Sequence, residues 1–321
     1  VFSMHGFILD LKQLRTFLAI VETGNVTRAA ELLHIVQPAV SRQLRLLEED
    51  VGTALFDRTR RGMQLTSAGK TLVDYARRAL NELDRARAEL NPSSVGVGGI
   101  VTIGLLPSTS DLLASPLLTR VANKYPGIRI RIAVGYAGTL QAWLENGEVD
   151  VALLYEPNNA EAILMQPLLE ESMCVVGLPE DGLSLSKTVS LHDLSRSPMI
   201  LPSASHGIRM LVEHSCMQLG LQLTVVAETN AMSVQKSLVL GGHGLTILPL
   251  IAVASEVSNG LLSAARLADP IITRKLALAS CATRPLSTPV QHAVTELLEC
   301  MREAIELEQW PEAIWKYQVN T

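Results

Sequence analysis

The sequence predicts two kinds of structure in one chain: a mainly helical N-terminal part and a longer α/β part. Apolar residues of the first 90 positions recur at helical spacing, whereas short apolar strands alternate with helices beyond residue 100. The stretch 91–99 between them is rich in Pro, Ser and Gly, as in a hinge. Because 48% of the 321 residues are apolar and 18% are charged, an intrinsically disordered chain is excluded.

The first two predicted helices are short. Phe17 and Val21 lie on one apolar stripe, and Gly24 ends the first helix. A second helix follows, with Asn25 or Thr27 as its N-cap, because both side chains accept hydrogen bonds from free N–H groups. A tight turn at 34–37 then leads into a third helix.

The third helix has two chemically different sides. Pro38 suits its first position, where the missing N–H costs nothing. At about 100° per residue, the apolar stripe consists of Val40, Leu44 and Leu47. The opposite side carries Gln37, Ser41, Arg42 and Arg45. Two helices, a short turn and a polar outward face are typical of a helix-turn-helix, here from about Val26 to Arg45.

A basic hairpin follows the third helix. Residues 55–58 and 63–66 are predicted strands around the turn 59–62, which makes a wing. Residues 58–70 contain Arg58, Arg60, Arg61 and Lys70 and no acidic residue. Although the whole chain has a net charge of −5, residues 1–94 carry 13 basic against 11 acidic residues. Basic clusters without acids fit a phosphate-binding face, although a solvated surface is the alternative.

A long helix is predicted after the wing, with Thr66 or Ser67 as its cap. Its apolar residues are spaced 4, 3, 4, 3 and 4 apart, which is a heptad seam: Leu72, Ala76, Ala79, Leu83, Ala86 and Leu90. The other faces are charged, which favours a dimer seam. Packing of the helix on its own domain is the alternative.

The α/β part is predicted to form two doubly wound, Rossmann-like units. The order strand 100–105, helix 111–124, strand 128–134, helix 139–146 and strand 149–154 indicates a parallel sheet. A second unit runs from Met173 to Leu267, and a strand at 274–279 with a helix at 289–306 returns to complete the first. Such a clamshell encloses a ligand cleft between its halves.

Several classes of function find no support in the sequence. The chain contains no GxSxG, HExxH or Walker motif, so no catalytic residue is assigned. The seven histidines show no metal-ligand spacing, and neither a metal nor a cofactor is expected. Scattered cysteines favour reduced thiols and a cytoplasmic location. No apolar run reaches 18 residues and no secretion signal is recognised, with Met4 a candidate start.

Two loops of the α/β part suit a small ligand. The loop 107–110 follows the first strand of the first unit, and the loop 202–207 occupies the matching place in the second unit. Each opens a helix, where free N–H groups and hydroxyls attract anions. The candidate effector-binding residues are Ser108, Thr109, Ser110, Tyr136, Ser203, Ser205, His206 and Arg209, with Arg209 as the countercharge. Plain N-capping by the same loops is the alternative.

At this point the residues resemble a known family. The segments 14–17, 27–30, 37–44, 47–48, 55–58 and 65–69, together with Gly52, are similar in order and spacing to the N-terminal domain of LysR-type transcriptional regulators. The resemblance extends more weakly over 103–104, 125–127, 144–153 and 241–249, and it ends after Glu308. Val36 departs from the family, which often has Ser or Thr there, so one capping hydroxyl near the phosphates is missing.

The resemblance implies a winged helix-turn-helix at 1–66, a dimerising linker helix at 67–94 and a periplasmic-binding-protein-like effector domain at 95–308. Within that domain, 100–167 with 268–308 would form one subdomain and 168–267 the other, leaving a tail at 309–321. The implied partners are double-stranded DNA, a small-molecule effector, further copies in a homodimer or homotetramer, and RNA polymerase. The expected DNA contacts are Thr27, Arg28, Gln37, Pro38, Ser41, Arg42, Arg45, Arg58, Thr59, Arg60 and Arg61. A solute-binding protein, or an enzyme on the same clamshell, is the alternative.

Overall fold

The computed structural model describes residues 10–59, 62–90, 97–155, 162–204 and 206–317. The side chain of Arg58 and those of residues 84, 85 and 87–90 are outside this description. The chain forms two compact units, Val1–Pro92 with Asn146–Glu148, and Ser93–Glu145 with Val149–Thr321.

The first unit consists of four helices and one hairpin. The helices are α1 (Leu11–Thr23), α2 (Val26–Leu33), α3 (Gln37–Val51) and α4 (Ser67–Leu90). The hairpin is β1 (Phe56–Thr59) with β2 (Gly62–Leu65), paired antiparallel. The predicted helix-turn-helix, wing and long helix are therefore confirmed within the described residues.

Caps explain where these helices begin and end. Asp10 and Gln13 form a capping box at the start of α1, and Gly24 ends it in the left-handed conformation. Asn25, one of the two predicted caps, accepts the N–H groups of Thr27 and Arg28. Each cap satisfies backbone groups that the helix leaves unpaired, so the turns between helices are defined by local chemistry.

The core of the first unit holds the three short helices against the start of α4. Phe17, Ile20 and Leu47 are fully buried in it. Burying such side chains stabilises a fold by about 1.5–3 kcal/mol each. A Cβ at Gly69 would overlap the carbonyl of Leu55, so this glycine permits the close approach of α4 to the chain before the wing.

The second unit contains the remaining elements. Its helices are α5 (Pro107–Lys124), α6 (Ala137–Glu145), α7 (Leu191–Leu194), α8 (Gly207–Gln218), α9 (Met232–Leu240), α10 (Ala254–Ser258) and α11 (Thr288–Glu306). Its strands are β3 (Gly98–Leu105), β4 (Gly127–Val134), β5 (Val151–Tyr155), β6 (Ile163–Gly177), β7 (Thr188–Ser190), β8 (Pro198–Pro202), β9 (Thr224–Thr229), β10 (Thr246–Pro249), β11 (Ser263–Ala268), β12 (Thr273–Cys281) and β13 (Ala313–Trp315).

The large sheet has the strand order β4-β3-β5-β12-β6-β11-β7, with β10 and β13 also on β6. The predicted parallel pairing holds for β3 with β4 and β5, but β12 pairs antiparallel with β5 and β6. The parallel sheet predicted for residues 100–154 is thus confirmed, and β12, which returns from the second half, makes the complete sheet mixed. Strands β8 and β9 form a separate parallel pair.

Strand β6 belongs to two halves of the unit. Its first part pairs with β12, and residues 173–177 pair with β10 and β11. We call the part built on β3, β4, β5, β12, α5, α6 and α11 the first half, and the part built on β7–β11, α8 and α9 the second half. Separate apolar clusters fill them, one around Leu105 and Leu297 and others around Val212 and Val239. The structure therefore contains the predicted two-part clamshell.

Candidate functional site

Helix α3 presents a polar face to solvent. Its apolar residues Val40, Leu44 and Leu47 are buried in the core. On the other side, Gln37, Arg42 and Arg45 are exposed and Ser41 is half-buried. The amide of Gln37 donates to Ser41 Oγ at 3.3 Å, and Arg45 Nε lies 3.4 Å from a carboxylate oxygen of Glu49. The structure thus places the predicted polar residues together on one accessible surface.

The start of α2 and the start of α3 lie at solvent-exposed positions. Thr27, Arg28 and Pro38 are exposed. Helix α3 begins at Gln37, so Pro38 is its second residue and not its first. Val36 precedes the helix without a side-chain hydrogen bond and is 69% exposed. Within this first turn, Pro38 has no N–H, and the N–H groups of Ala39 and Val40 donate to the carbonyl of Val36 at 2.9 and 3.4 Å.

The wing is fixed to the helices by two contacts. Glu48 Oε1 on α3 accepts the N–H of Leu55 at 2.8 Å and that of Phe56 at 3.4 Å. At the other strand, Met63 N–H donates to the carbonyl of Gly24 at 2.9 Å. These bonds give the hairpin a fixed position against α3.

Of the predicted wing residues, Thr59 is exposed and its hydroxyl donates to the carbonyl of Gly62 at 3.0 Å. Arg60 and Arg61 lie outside the described residues, as does the side chain of Arg58.

The predicted heptad seam of α4 divides into two parts. Ala76 is buried in the first unit's own core and Leu72 packs against it. Ala79, Leu83 and Ala86 are exposed, Leu83 by 43%. The side chain of Leu90 lies outside the described residues. The first part of the seam is therefore intramolecular, and the middle of the helix has an apolar stripe open to a second molecule.

A cavity that is partly open to solvent lies between the two halves of the second unit. It is lined by Pro107, Ser108, Tyr136, Tyr155, Pro202, His206, Ile208, Thr229, Asn230, Met232, Gln235, Leu248, Pro249 and Arg274. The N-termini of α5 and α8 both reach it, as the sequence predicts for doubly wound units.

Arg274 is the cation of this cavity. It is 2% exposed, and its Nε donates to Glu171 Oε1. Nη1 donates to the hydroxyl of Tyr155 at 2.5 Å, and Nη2 donates to Ser108 Oγ at 2.9 Å. The guanidinium also lies over the Tyr155 ring, 4.7 Å from its centroid. Burial raises the pKa of Tyr155, so this phenol keeps its proton. The arrangement can hold an anionic group.

Two aromatic residues close the cavity from opposite halves. Tyr136 Oη accepts the N–H of Met232, the first residue of α9, at 2.7 Å. The Tyr136 and His206 rings meet edge to face, with centroids 4.8 Å apart. Burial, with a smaller contribution from Arg274, lowers the pKa of His206 to about 4. His206 Nδ1 accepts the N–H of Ile208 at 3.2 Å, so the neutral imidazole carries its proton on Nε2.

The predicted effector-binding residues have different outcomes. Among the described residues, the cavity lining includes Ser108, Tyr136 and His206 but not Thr109, Ser110, Ser203 or Arg209. Ser205 lies outside the description. Thr109 and Ser110 donate their hydroxyls to the carbonyls of Leu106 and Pro107 in the first turn of α5, and Leu106, the N-cap of this helix, makes no side-chain capping bond. Ser203 shares backbone hydrogen bonds with Thr229 and His206.

The expectation that Arg209 supplies the countercharge is corrected. Its guanidinium pairs with Glu213 and with Glu228 at 3.1 Å, and it also donates to the carbonyl of Pro202. Glu213 stands four residues after Arg209, a helical ion-pair spacing that was a sequence signal for this role. Sequence reasoning missed Arg274, although Arg274, Leu276 and Leu278 alternate along β12 and share its buried face.

The described residues contain four free, buried thiols, including Cys174 and Cys300. Burial raises the pKa of Cys174 to about 12 and that of Cys300 to about 11, so these thiols stay protonated core side chains. No group of three or more potential metal ligands occurs among the residues described. Within the same ranges, no helix is long and apolar enough to cross a membrane.

Comparison with known families identifies the class of protein. The LysR substrate binding domain matches residues 95–303. The bacterial regulatory helix-turn-helix protein, lysR family, matches residues 11–70. The chain therefore belongs to the LysR family. It is a DNA-binding transcriptional regulator with an effector-binding domain, as the sequence predicts.

Individual relatives agree with this assignment. The nitrogen assimilation regulatory protein nac of Klebsiella aerogenes is 32% identical over 293 residues, 90% of this chain and 94% of the relative. The transcriptional regulator BbuR of Bordetella bronchiseptica is 32% identical over 261 residues, 81% of this chain and 80% of the relative. Both of these relatives are named as regulators.

Solved structures show the same fold. Full-length CbnR complexed with its target DNA has a TM-score of 0.68 at 21% identity, covering 92% of this chain and 100% of that one. A full-length OxyR variant from Pseudomonas aeruginosa has a TM-score of 0.67 at 23% identity, covering 92% and 95%.

Proposed function

We propose that this regulator reads DNA with the polar face of α3 and that a small carboxylate in the cavity controls it. The observation that carries the proposal is the accessible face of Gln37, Ser41, Arg42 and Arg45 opposite a buried apolar stripe. A helix of this kind enters the major groove, where Gln and Arg have the donors and acceptors to distinguish base edges. Each bidentate contact contributes about 1–3 kcal/mol of discrimination.

The other DNA contacts position the protein on the duplex. Thr27, Arg28 and Pro38 lie at exposed helix starts, which suit phosphate oxygens. Thr59 and the wing arginines Arg58, Arg60 and Arg61 are assigned to phosphate or the minor groove. Contacts of this type contribute affinity and salt dependence but little sequence preference.

The ligand proposal follows from the cavity's chemistry. Arg274, Ser108 and the Nε2–H of neutral His206 are donors, whereas Tyr136, Ile208 and Leu248 form apolar wall. A carboxylate attached to an apolar group of a few carbons satisfies both parts. Its binding regulates DNA recognition to the extent that it favours one state of the effector-binding domain over another.

Assembly and partners complete the proposal. The exposed stripe of Ala79, Leu83 and Ala86 supports a dimer through α4, and dimers pair into a homotetramer. The domain limits proposed from the sequence, 1–66, 67–94 and 95–308, are retained. The regulator works in the cytoplasm at promoters, with RNA polymerase as its further partner. No catalytic role and no cofactor are included.

The DNA assignment is tested with Arg42→Ala. A preferred duplex is first selected from a random library, and binding to it and to a scrambled duplex is measured between about 50 and 200 mM salt. We expect Arg42→Ala to weaken binding to the preferred duplex about tenfold or more and to the scrambled one much less. The control Arg129→Ala removes the same charge from an exposed position of β4 and should change neither. Equal losses on both duplexes would assign Arg42 to phosphate.

A further inference from the structure

The chain after α11 returns to the large sheet. Residues 307–317, here the C-terminal segment, lie beyond the part matched by the family's substrate binding domain. In this segment β13 pairs antiparallel with β6, where Ala313 stands opposite Glu171 and Trp315 opposite Leu169. Backbone N–H groups of Ser172, Lys316 and Tyr317 extend the pairing. The segment is therefore an integral strand next to the point where β6 passes between the halves.

Trp310 connects this segment to the cavity. Its side chain is 1% exposed and lies in the core of the first half. Its indole Nε1–H donates to Glu171 Oε2 at 3.0 Å. Glu171 is the carboxylate that pairs with Arg274, and its own side chain is fully buried. One chain of hydrogen bonds thus runs from the C-terminal segment to the cavity's cation.

The geometry of the buried ion pair is unusual for arginine. Guanidinium and carboxylate groups commonly pair through two parallel N–H···O bonds. Here Arg274 donates one bond to Glu171, from Nε to Oε1, while the indole N–H of Trp310 donates to Oε2. Nη1 and Nη2 donate instead to Tyr155 and Ser108, and both of these line the cavity.

We propose that Trp310 is a positioning residue for ligand recognition. By engaging Glu171 Oε2, it prevents a two-bond pair and keeps the terminal nitrogens of Arg274 turned toward the cavity. This inference rests on the carboxylate site proposed above and names a regulator of that site. It assigns a role in effector response to the C-terminal segment.

The desolvation of Glu171 is the physical reason why the Trp310 N–H controls the geometry of the Arg274–Glu171 pair. A buried carboxylate oxygen without a donor carries a large desolvation penalty, so it takes the nearest available N–H. When the indole N–H is removed, the nearest candidate is the Arg274 fork already held at Oε1. The guanidinium then turns to donate through Nε and Nη2 together, and this rotation moves Nη2 out of hydrogen-bond distance of Ser108. An anionic ligand loses that donor, whereas an uncharged ligand of the same shape loses less.

Trp315 offers a matched control in the same segment. Its indole nitrogen is buried and has no hydrogen-bond partner among the described residues. Its ring meets Tyr317 edge to face and lies near the guanidinium of Arg302. Trp315→Phe therefore removes the same atoms as Trp310→Phe without removing a hydrogen bond.

The first arm of the test is structural and needs no ligand. Crystal structures of the full-length Trp310→Phe and Trp315→Phe variants are compared with the wild type. We expect a two-bond Arg274–Glu171 pair in Trp310→Phe and the one-bond pair in Trp315→Phe. Replacing Trp310 by 3-benzothienylalanine keeps the ring volume and removes the N–H, so a folding defect of the phenylalanine variant does not prevent the test. An unchanged one-bond pair in this variant overturns the proposal.

The second arm measures binding by calorimetry, with alkyl carboxylates from butyrate to hexanoate and the amides of equal length as probes. We expect loss of the Trp310 N–H to raise the carboxylate Kd about tenfold and the amide Kd less than about twofold. Trp315→Phe should leave both nearly unchanged. Equal weakening of both probe classes would reduce Trp310 to a packing role and overturn the proposal. If the wild-type protein binds none of the carboxylates more tightly than the amide of equal length, the proposed ligand class is wrong. The crystal structures of the first arm then decide the role of Trp310.

Discussion

Removing the charge of Arg274 should destabilise the second unit strongly, because it leaves Glu171 buried without its cation. Both side chains are at most 1% exposed. Breaking one partner of such a pair typically costs about 3–5 kcal/mol. Arg274→Met keeps much of the side chain's length, so the loss reports mainly on the abandoned carboxylate and its hydrogen bonds.

A second substitution should restore most of this loss. In Arg274→Met combined with Glu171→Gln, no charge remains buried, and the new amide oxygen still accepts the Trp310 indole N–H. Replacing both partners of a buried pair is often close to neutral. We therefore expect the double variant to be more stable than Arg274→Met alone, with a coupling free energy of about 2 kcal/mol or more.

Thermal unfolding followed by circular dichroism provides the assay. For a unit of this size, a loss of 3–5 kcal/mol lowers the Tm by about 10 °C. The control pair is Arg266 with Glu312, whose side chains are 50% and 17% exposed. Arg266→Met should cost about 1 kcal/mol or less. The free energy of unfolding lost in the double variant could instead equal the sum of the losses in Arg274→Met and Glu171→Gln. The two groups would then not compensate each other, and the reasoning would be refuted.

Two further predictions concern assembly and pH. Leu83→Glu places a charge on the exposed stripe of α4 and should shift the full-length protein to a smaller species in sedimentation velocity; an unchanged species would exclude this stripe as the dimer contact. The pKa of His206 is lowered from 6.5 to about 4, so the unfolded chain binds the proton first and wild-type stability falls as pH decreases from 6.5 toward 4. His206→Asn keeps a helix cap and should lose less stability than the wild type between pH 7 and 5, measured by urea titrations. If the free energy of unfolding depends on pH equally in both proteins, the lowered pKa of His206 is contradicted.

Local sequence signals were sufficient for most of the fold. The stop at Gly24, the cap Asn25 and the stripe of Val40, Leu44 and Leu47 depend on neighbours within a few residues, and they predict α1–α3 well. The first βαβαβ segment is confirmed to within a few residues at each boundary, because alternating apolar patterns set strands and helices directly.

Long-range features were harder to predict. Strand β6 contains Glu170, Glu171 and Ser172 near its centre, a polar stretch that hides a continuous strand until its neighbours are known. The cavity network joins Ser108, Tyr155, Glu171, Arg274 and Trp310, which are far apart in sequence. A local pattern assigns a residue to a face, but it does not show which distant side chain shares that face. The sequence therefore points to Arg209 and leaves Arg274 without a role.

The hydrogen bonds from Glu48 to the wing affect how this regulator can evolve a preference for a different DNA sequence. One carboxylate oxygen on α3 holds the backbone of both Leu55 and Phe56. The helix proposed to meet the bases and the hairpin proposed to meet the sugar–phosphate chain are therefore held in one fixed relative position. A substitution on α3 can exchange one preferred base for another while the relative position of α3 and the wing stays the same. A substitution that tilts α3 moves both contacts together, so new specificity is more accessible through side-chain chemistry than through a change of docking angle.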